Sequence, residues 1–225
     1  METILIEVRA GEGGADAKLL VEDQIKLYLK FCQRKGYEVV LVEQLPGFVA
    51  LQITGRGVKD FKNETGGHRY QRIPPTEKRG RVQTSTVTVA CLTVPSESEF
   101  KLREEDLEWS FCRSGGAGGQ HVQKTNSAVQ LTHKPTKTSV RCETERSQHQ
   151  NKISALAVLR SRVSEWMTTQ TARQLNTTRK NQVGAGMRGD KRRTIALQRD
   201  QVVDHVSEKR ISAKEYLNGK LELVW

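Results

Sequence analysis

Residues 3–8 read Thr-Ile-Leu-Ile-Glu-Val, a largely β-branched run that predicts a strand, and Gly11, Gly13 and Gly14 just beyond it predict a flexible corner. From 16 to 35 the period changes. Leu20, Leu27, Tyr28 and Phe31 recur at helical spacing, and Gly36 stands where a helix end favours a residue able to take positive φ. Two strand-like segments, 37–42 and 48–54, precede a short polar stretch, and Thr and Val then alternate through 84–94 as in a further strand.

The polar run Pro95-Ser96-Glu97-Ser98-Glu99 predicts a break, with a second unit beginning at 105. Within it, 107–112 reads as a strand, 113–120 as a glycine-rich loop, and 129–133 with 138–142 as a hairpin turning at Lys134-Pro135-Thr136. A long helix follows, with Ser147 as N-cap and Ile153, Leu156, Leu159, Val163 and Trp166 down one face. Reaching Lys180, it would span roughly 50 Å. The glycines at 184, 186 and 189 end it, and a strand over 193–197 and a helix from Ser212 complete the chain. The expected class is α+β: a mixed-sheet domain over 1–104, a smaller α/β domain with a long helix over 105–183, and a segment over 184–225 that packs back on the first domain. The chain shows no internal repeat or low-complexity tract.

Charge changes the picture. Lys and Arg total 37 against 26 Asp and Glu, a net charge of +11, with only 36% hydrophobic and 5% aromatic residues. That balance fits a protein that sits among phosphates, although the same charge also serves simple solubility. No apolar run approaches the ~20 residues needed to cross a membrane, and Met1-Glu2-Thr3 carries neither a basic secretory start nor an Arg-rich transit pattern. The expectation is a cytoplasmic protein, or one in an organelle matrix. Cys32, Cys91, Cys112 and Cys142 are far apart, and the five histidines lack ligand spacing, so neither a disulfide framework nor a metal or other cofactor is expected.

Ser114-Gly115-Gly116-Ala117-Gly118-Gly119-Gln120 holds four glycines in seven residues. No Lys-Ser or Lys-Thr follows at phosphate-loop spacing and no dinucleotide fingerprint is present, so nucleotide binding is disfavoured. Glycine content alone favours an ordinary surface loop. The continuation is more specific: Lys124-Thr125-Asn126-Ser127-Ala128-Val129, Thr132-His133 and Glu145-Arg146-Ser147-Gln148-His149-Gln150-Asn151-Lys152. With the loop, these resemble the Gly-Gly-Gln domain of bacterial-type class 1 peptide chain release factors. Arg9 to Gly14, Gly66-Gly67-His68-Arg69, Gln71-Arg72-Ile73-Pro74-Pro75-Thr76-Glu77, Thr84-Ser85, Asp190 to Thr194 and Val203-Asp204-His205 resemble the same family in order.

The resemblance implies a first domain that reads a stop codon and a second that triggers hydrolysis of the peptidyl-tRNA ester. Gly118, Gly119 and Gln120 would enter the peptidyl transferase centre, where the main-chain N–H of Gln120 donates to the tetrahedral oxyanion and its side chain borders the water site. Pro74-Pro75-Thr76 is similar to the Pro-x-Thr tripeptide of factors reading UAA and UAG. Thr76 would contact the first two bases, Gln71 and Thr84 the third, and backbone near Gly13 and Asp16 the first uridine. Arg113, Lys124, Arg146, Gln148, His149 and Lys152 are implied RNA contacts around the catalytic loop. The implied partners are both ribosomal subunits with their RNA, the mRNA stop codon, peptidyl-tRNA and a glutamine methyltransferase acting on Gln120, with the factor itself a monomer.

Three departures from the family pattern stand out. The acidic pair after Gly13-Gly14 is reduced to Ala15-Asp16, and Gln83 occupies the place of a His before Thr84-Ser85, within the codon-recognition set. The family also usually opens with a helical domain, so a reduced factor is expected here. Two other readings share the loop: a codon-independent ribosome-rescue hydrolase, against which the non-basic residues 217–225 and the tripeptide speak, and a non-catalytic RNA-binding paralogue, against which the intact Gly118-Gly119-Gln120 speaks.

Overall fold

In strand β1 (Glu2–Ala10) the side chains of Ile4, Ile6 and Val8 are buried, the period of two expected of a strand with one face on a core. Antiparallel neighbours β3 (Phe48–Gly55) and β5 (Gln83–Thr93) flank it, and the register sets Ile6 opposite Leu51 on one side and Cys91 on the other. Val8 lies likewise between Val49 and Val89, so apolar rows cross three strands. Helix α1 (Ala15–Lys35) buries Leu20, Leu27, Tyr28 and Phe31 in the same cluster. Gly36 closes it at φ 68°, its N–H reaching the carbonyls of Cys32 and Gln33.

The computed structural model describes residues 2–93, 102–115, 124–184 and 186–225. Two compact units divide the chain, one from 1–95 with 175–225 and one from 96–174. The first contains an eight-stranded sheet. Besides β1, β3 and β5 it holds β2 (Glu38–Leu45), β4 (Gly66–Arg72), β9 (Arg193–Ala196), β10 (Gln201–Asp204) and β11 (Arg210–Ile211), in the order β11-β10-β9-β4-β5-β1-β3-β2. Strands β4 and β9 are parallel and every other pair is antiparallel, so the sheet is mixed.

The polar stretch after residue 54 is in fact structured: a 3-10 helix over Val58–Glu64 leads into β4. Its sequence, Gly-Gly-His-Arg-Tyr-Gln-Arg, has one apolar side chain, and what holds it is its position between β5 and β9 and a buried polar network. Arg193 of β9 is fully buried, pairing with Glu64 at 2.5 Å and Asp204 at 2.7 Å. The Tyr216 hydroxyl meets Arg193 at 3.1 Å, Trp225 Nε1 donates to Glu64 at 2.6 Å, and His68 Nε2 lies 2.8 Å from the Glu64 carbonyl. These bonds tie the residues after 184 to the first 95.

The second unit is built on a three-stranded antiparallel sheet of β6 (Leu107–Cys112), β7 (Ala128–His133) and β8 (Thr138–Cys142), with β7 central. Helix α2 (Gln148–Val183) has 36 residues, about 54 Å, and packs Ala155, Leu159 and Val163 against Leu107, Val129, Leu131 and Val140. The buried row is therefore Asn151, Ala155, Leu159, Val163, spaced four apart, rather than the face expected from Ile153 and Trp166. Ile153 lies about 200° round the helix from Asn151 and is 60% exposed, while Trp166 stays 41% exposed. From 175 onward α2 belongs to the first unit. There Arg179 grips the buried Glu7 with two bonds of 2.6 Å, and the Gln182 amide both donates to and accepts from the backbone of Cys91 at 2.8 Å. A short helix, α3 (Ala213–Leu217), is capped by Ser212, whose hydroxyl accepts from the Lys214 N–H.

Candidate functional site

Adjacent strands β4 and β5 end at the loop that carries Pro74-Pro75-Thr76, and their last register pairs are Gln71 opposite Thr84 and Arg72 opposite Gln83. Pro74 is buried, whereas Pro75 and Thr76 are exposed. The Glu77 N–H donates to the Pro74 carbonyl at 3.0 Å, which closes a turn with Pro75 and Thr76 at its centre. Gln198 supports the base of the loop: with its amide oriented so that Nε2 donates to Gln71 O at 2.9 Å, Oε1 accepts from the Ile73 N–H at 2.8 Å. Its side chain thus continues the pairing of β4 past the point where β9 ends at Ala196.

The Gly11 to Asp16 corner is stitched to the same strand. Gly11 N–H donates to Thr86 O at 2.8 Å, Glu12 N–H to the Thr86 hydroxyl at 2.8 Å, and Thr86 N–H to Glu12 O at 2.7 Å. Gly13 sits at φ 133° with its α-carbon pressed on Ser85, so close that a Cβ there would fall 2.4 Å from the Ser85 hydroxyl oxygen. Asp16 is 2% exposed and bonded to Arg72 at 2.7 and 3.0 Å; Arg72 also reaches Asp23 at 2.8 Å. Burial works against the Arg72 charge, but Asp16 and Asp23 outweigh it and raise its pKa. Gln71, Thr84, Gly13 and Asp16 are thereby brought into one neighbourhood, the first two as a cross-strand pair and the others through Ser85 and Arg72, the chain neighbours of that pair.

Gln83, the residue in the place of the family's His, donates from its amide to the Glu77 carboxylate at 2.7 Å. That carboxylate also accepts the Arg79 N–H at 2.8 Å and Arg81 at 3.0 Å. The Arg79 backbone bond, with the Gln83 and Arg81 donors, lowers the Glu77 pKa below the usual carboxylate range.

In the second unit Gly118, Gly119 and Gln120 lie outside the described residues, which resume at Lys124. Hydrogen bonds fasten the residues on either side. The hydroxyls of Ser114 and Ser127 are 2.7 Å apart, and the Gly115 N–H donates to Glu143 at 3.2 Å. Gln148 donates to the Asn126 carbonyl at 2.7 Å, and Lys152 Nζ sits 4.6 Å above the Phe111 ring, so both also serve within the fold. Arg113, Lys124, Arg146 and His149 are exposed. Asn151, in the quoted motif but assigned no role from sequence, is completely buried. Its Nδ2 donates to the carbonyls of Ser127 and Glu145, both at 2.8 Å, and its Oδ1 accepts the Glu145 N–H at 3.0 Å. A lone polar residue on the apolar row of an amphipathic helix is the sequence signal that marks it. Among the described residues no cluster of three or more His, Cys, Asp or Glu is placed to hold a metal ion, and no helix is long and apolar enough to cross a membrane.

Comparison with known proteins gives two family matches: a PCRF domain over residues 1–89 and an RF-1 domain over residues 96–206. Peptide chain release factor 1 of Borrelia garinii subsp. bavariensis is 40% identical over 229 residues, 98% of this chain and 64% of its own. Peptide chain release factor 1 of Dictyoglomus turgidum is 41% identical over 98% of this chain and 62% of its own. This chain thus spans less than two thirds of the length of these curated relatives. Among solved structures, RF2 of Thermus thermophilus superposes with a TM-score of 0.57 at 29% identity, covering 100% of this chain and 66% of that one.

Proposed function

We propose that this chain, which belongs to the peptide chain release factor family, recognises stop codons in the ribosomal A site and triggers hydrolysis of the peptidyl-tRNA ester. The observation that carries the codon half is the pairing of Gln71 with Thr84 at the base of the Pro74-Pro75-Thr76 loop. Gln71 and Thr84 lie at the ends of β4 and β5 from which the loop carrying Thr76 springs, and hydrogen bonds from such polar side chains to the edges of unstacked bases would discriminate among codons. UAA and UAG are the codons that the tripeptide supports.

For the ester half, Gly118, Gly119 and Gln120 are the residues we assign to the reaction. Glycines permit backbone conformations closed to other residues, and an N–H fixed toward the developing oxyanion stabilises the transition state without any change of protonation. The Gln120 side chain would position water, and Gln120 is the site we assign to methylation. The net charge of +11 fits a partner made largely of RNA phosphates. Arg113, Lys124, Arg146 and His149, exposed near the loop stems, are the contacts we assign to ribosomal RNA, with Gln148 and Lys152 contributing from within the fold.

Peptide release from ribosomes stalled with UAA, UAG, UGA, a sense codon or an empty A site tests this. Release on UAA and UAG alone is the expected result, lost in Gly119→Ala with ribosome binding retained. Equal release in every case would instead identify a rescue hydrolase.

A further inference from the structure

The loop joining β4 to β5 makes almost no apolar contact of its own. Past the buried Pro74, Thr76, Lys78, Arg79, Arg81 and Val82 are exposed, so hydrophobic burial does little to fix the shape of this part. Glu77 differs from these neighbours: its side chain is only 5% exposed. Both carboxylate oxygens are in use: Oε1 takes the Arg79 N–H at 2.8 Å, and Oε2 takes Gln83 at 2.7 Å and Arg81 at 3.0 Å. The Glu77 N–H, meanwhile, donates back to Pro74 at 3.0 Å. One residue therefore fastens the loop in both directions, backward across the tripeptide and forward to Gln83, which is itself locked opposite Arg72 in the last pair of the ladder.

We propose that Glu77 is a positioning residue for codon reading: by holding Arg79, Arg81 and Gln83 it fixes the turn that presents Thr76, and it engages the Gln83 amide so that Gln83 acts through Glu77 and not by its own contact with a base. This rests on the termination function proposed above. Thr76 precedes Glu77 directly, so any freedom of the Glu77 side chain becomes freedom of the Thr76 backbone. A reading group that must be ordered at binding loses affinity by the entropy of ordering, and a preformed turn removes that loss. Charge-assisted hydrogen bonds are the interactions able to hold such a turn in water, because they are stronger than neutral ones.

The test measures release against factor concentration on UAA and UAG ribosomes for the native chain, Glu77→Ala, Glu77→Gln, Gln83→Ala and the Glu77→Ala/Gln83→Ala double variant. We expect Glu77→Ala to raise the half-saturating concentration about tenfold, the effect of losing hydrogen bonds to a charged group, with the maximal release rate unchanged. Glu77→Gln, which keeps one acceptor oxygen, should rise less. Gln83→Ala should weaken the native chain but add nothing in the Glu77→Ala background. In the free factor, the Arg79 backbone amide resonance should move in Glu77→Ala while the melting temperature stays the same. Codon-dependent release by the native chain with an unchanged half-saturating concentration in Glu77→Ala overturns this inference and leaves the termination reading standing, as do fully additive effects of the two alanine substitutions. Codon-independent release by the native chain overturns the termination reading, and this inference with it.

Discussion

Gln71 and Thr84 stand directly opposite one another on β4 and β5. Side chains so placed have Cβ atoms about 4.5–5.5 Å apart and meet on one face of the sheet, so a base edge presented to one is presented to both. Two consequences follow for variants. Thr84→Val, which keeps the shape and removes the hydroxyl, and Gln71→Leu should each raise the half-saturating concentration for release on UAA and UAG. The double variant should fall short of the sum of the two by about 0.5–3 kcal/mol, the range for residues in contact. Additivity within error would mean that the two do not serve the same base.

Gly13 lends itself to a sharper structural test. Its φ of 133° is one that side chains other than glycine rarely adopt, and an added Cβ would lie 2.4 Å from the Ser85 Oγ, 2.5 Å from its Cβ and 2.9 Å from its Cα. Gly13→Ala should therefore destabilise the first unit by roughly 2–4 kcal/mol, from strain and overpacking together. Ser85→Ala should not rescue it, because the Ser85 Cβ and Cα remain. Denaturant unfolding of the two single variants and the double variant measures this; full rescue by Ser85→Ala would show that the corner relaxes away from β5.

What the sequence disclosed and what it hid divide along physical lines. Strands β1, β3 and β5 and helix α1 were legible because one apolar face against a core writes its period into the chain, as Ile4, Ile6 and Val8 do. Strand β4 was not, since His68, Arg69, Gln71 and Arg72 give no apolar alternation, and its place is set by Arg193, Glu64 and Asp204, which are distant in sequence. Strands β10 and β11, of four and two residues, were too short for any period to register. On the long helix of the second unit, apolar character does not mark the buried face at Ile153, because Asn151, with three hydrogen bonds to backbone, sets which side faces the sheet. Around the Pro74-Pro75-Thr76 loop, motif resemblance gave Thr76, Gln71, Thr84, Gly13 and Asp16. It gave no role to Glu77 or Gln198, since loop-fastening hydrogen bonds leave no period to read.

His68 makes stability depend on pH in a defined window. Burial, opposed by Glu64 and reinforced by Arg193, pushes its imidazole pKa down to about 4. The folded ring is then neutral, with Nε2–H donating to the Glu64 carbonyl and Nδ1 accepting from Tyr216. An unfolded chain takes up the proton below about 6.5, so its stabilising effect is complete above that pH and is lost as pH falls toward 4, by roughly 3 kcal/mol in all. Asp204, held down at about 2 against burial by the Ser207 N–H and Arg193, adds a separate loss at still lower pH, from its ordinary 3.8 downward. Unfolding free energies at pH 7 and pH 5 should differ in the native chain and differ much less in His68→Gln. An equal difference in both would place the titration elsewhere.

Under the proposed function, Gln83 bears on how firmly a codon would be held. A His at this position offers a flat ring to stack on a base, an interaction worth ~1–3 kcal/mol, whereas the Gln83 amide has little face to offer and is drawn onto Glu77. An imidazole N–H can also donate to a carboxylate, so Gln83→His retains a means of closing the loop while adding the aromatic surface. The variant should therefore lower the half-saturating concentration for release on UAA and UAG by about tenfold. Preference for these codons over UGA should not change, because the substitution leaves Thr76, Gln71 and Thr84, the proposed readers of the base edges, as they are. Concentration series on all three stop codons separate the two effects: a gain shared by UAA and UAG with the same order over UGA supports stacking without a change of readout. A gain on UGA as well would mean that position 83 takes part in discrimination and that the edge readers alone do not set the codon choice.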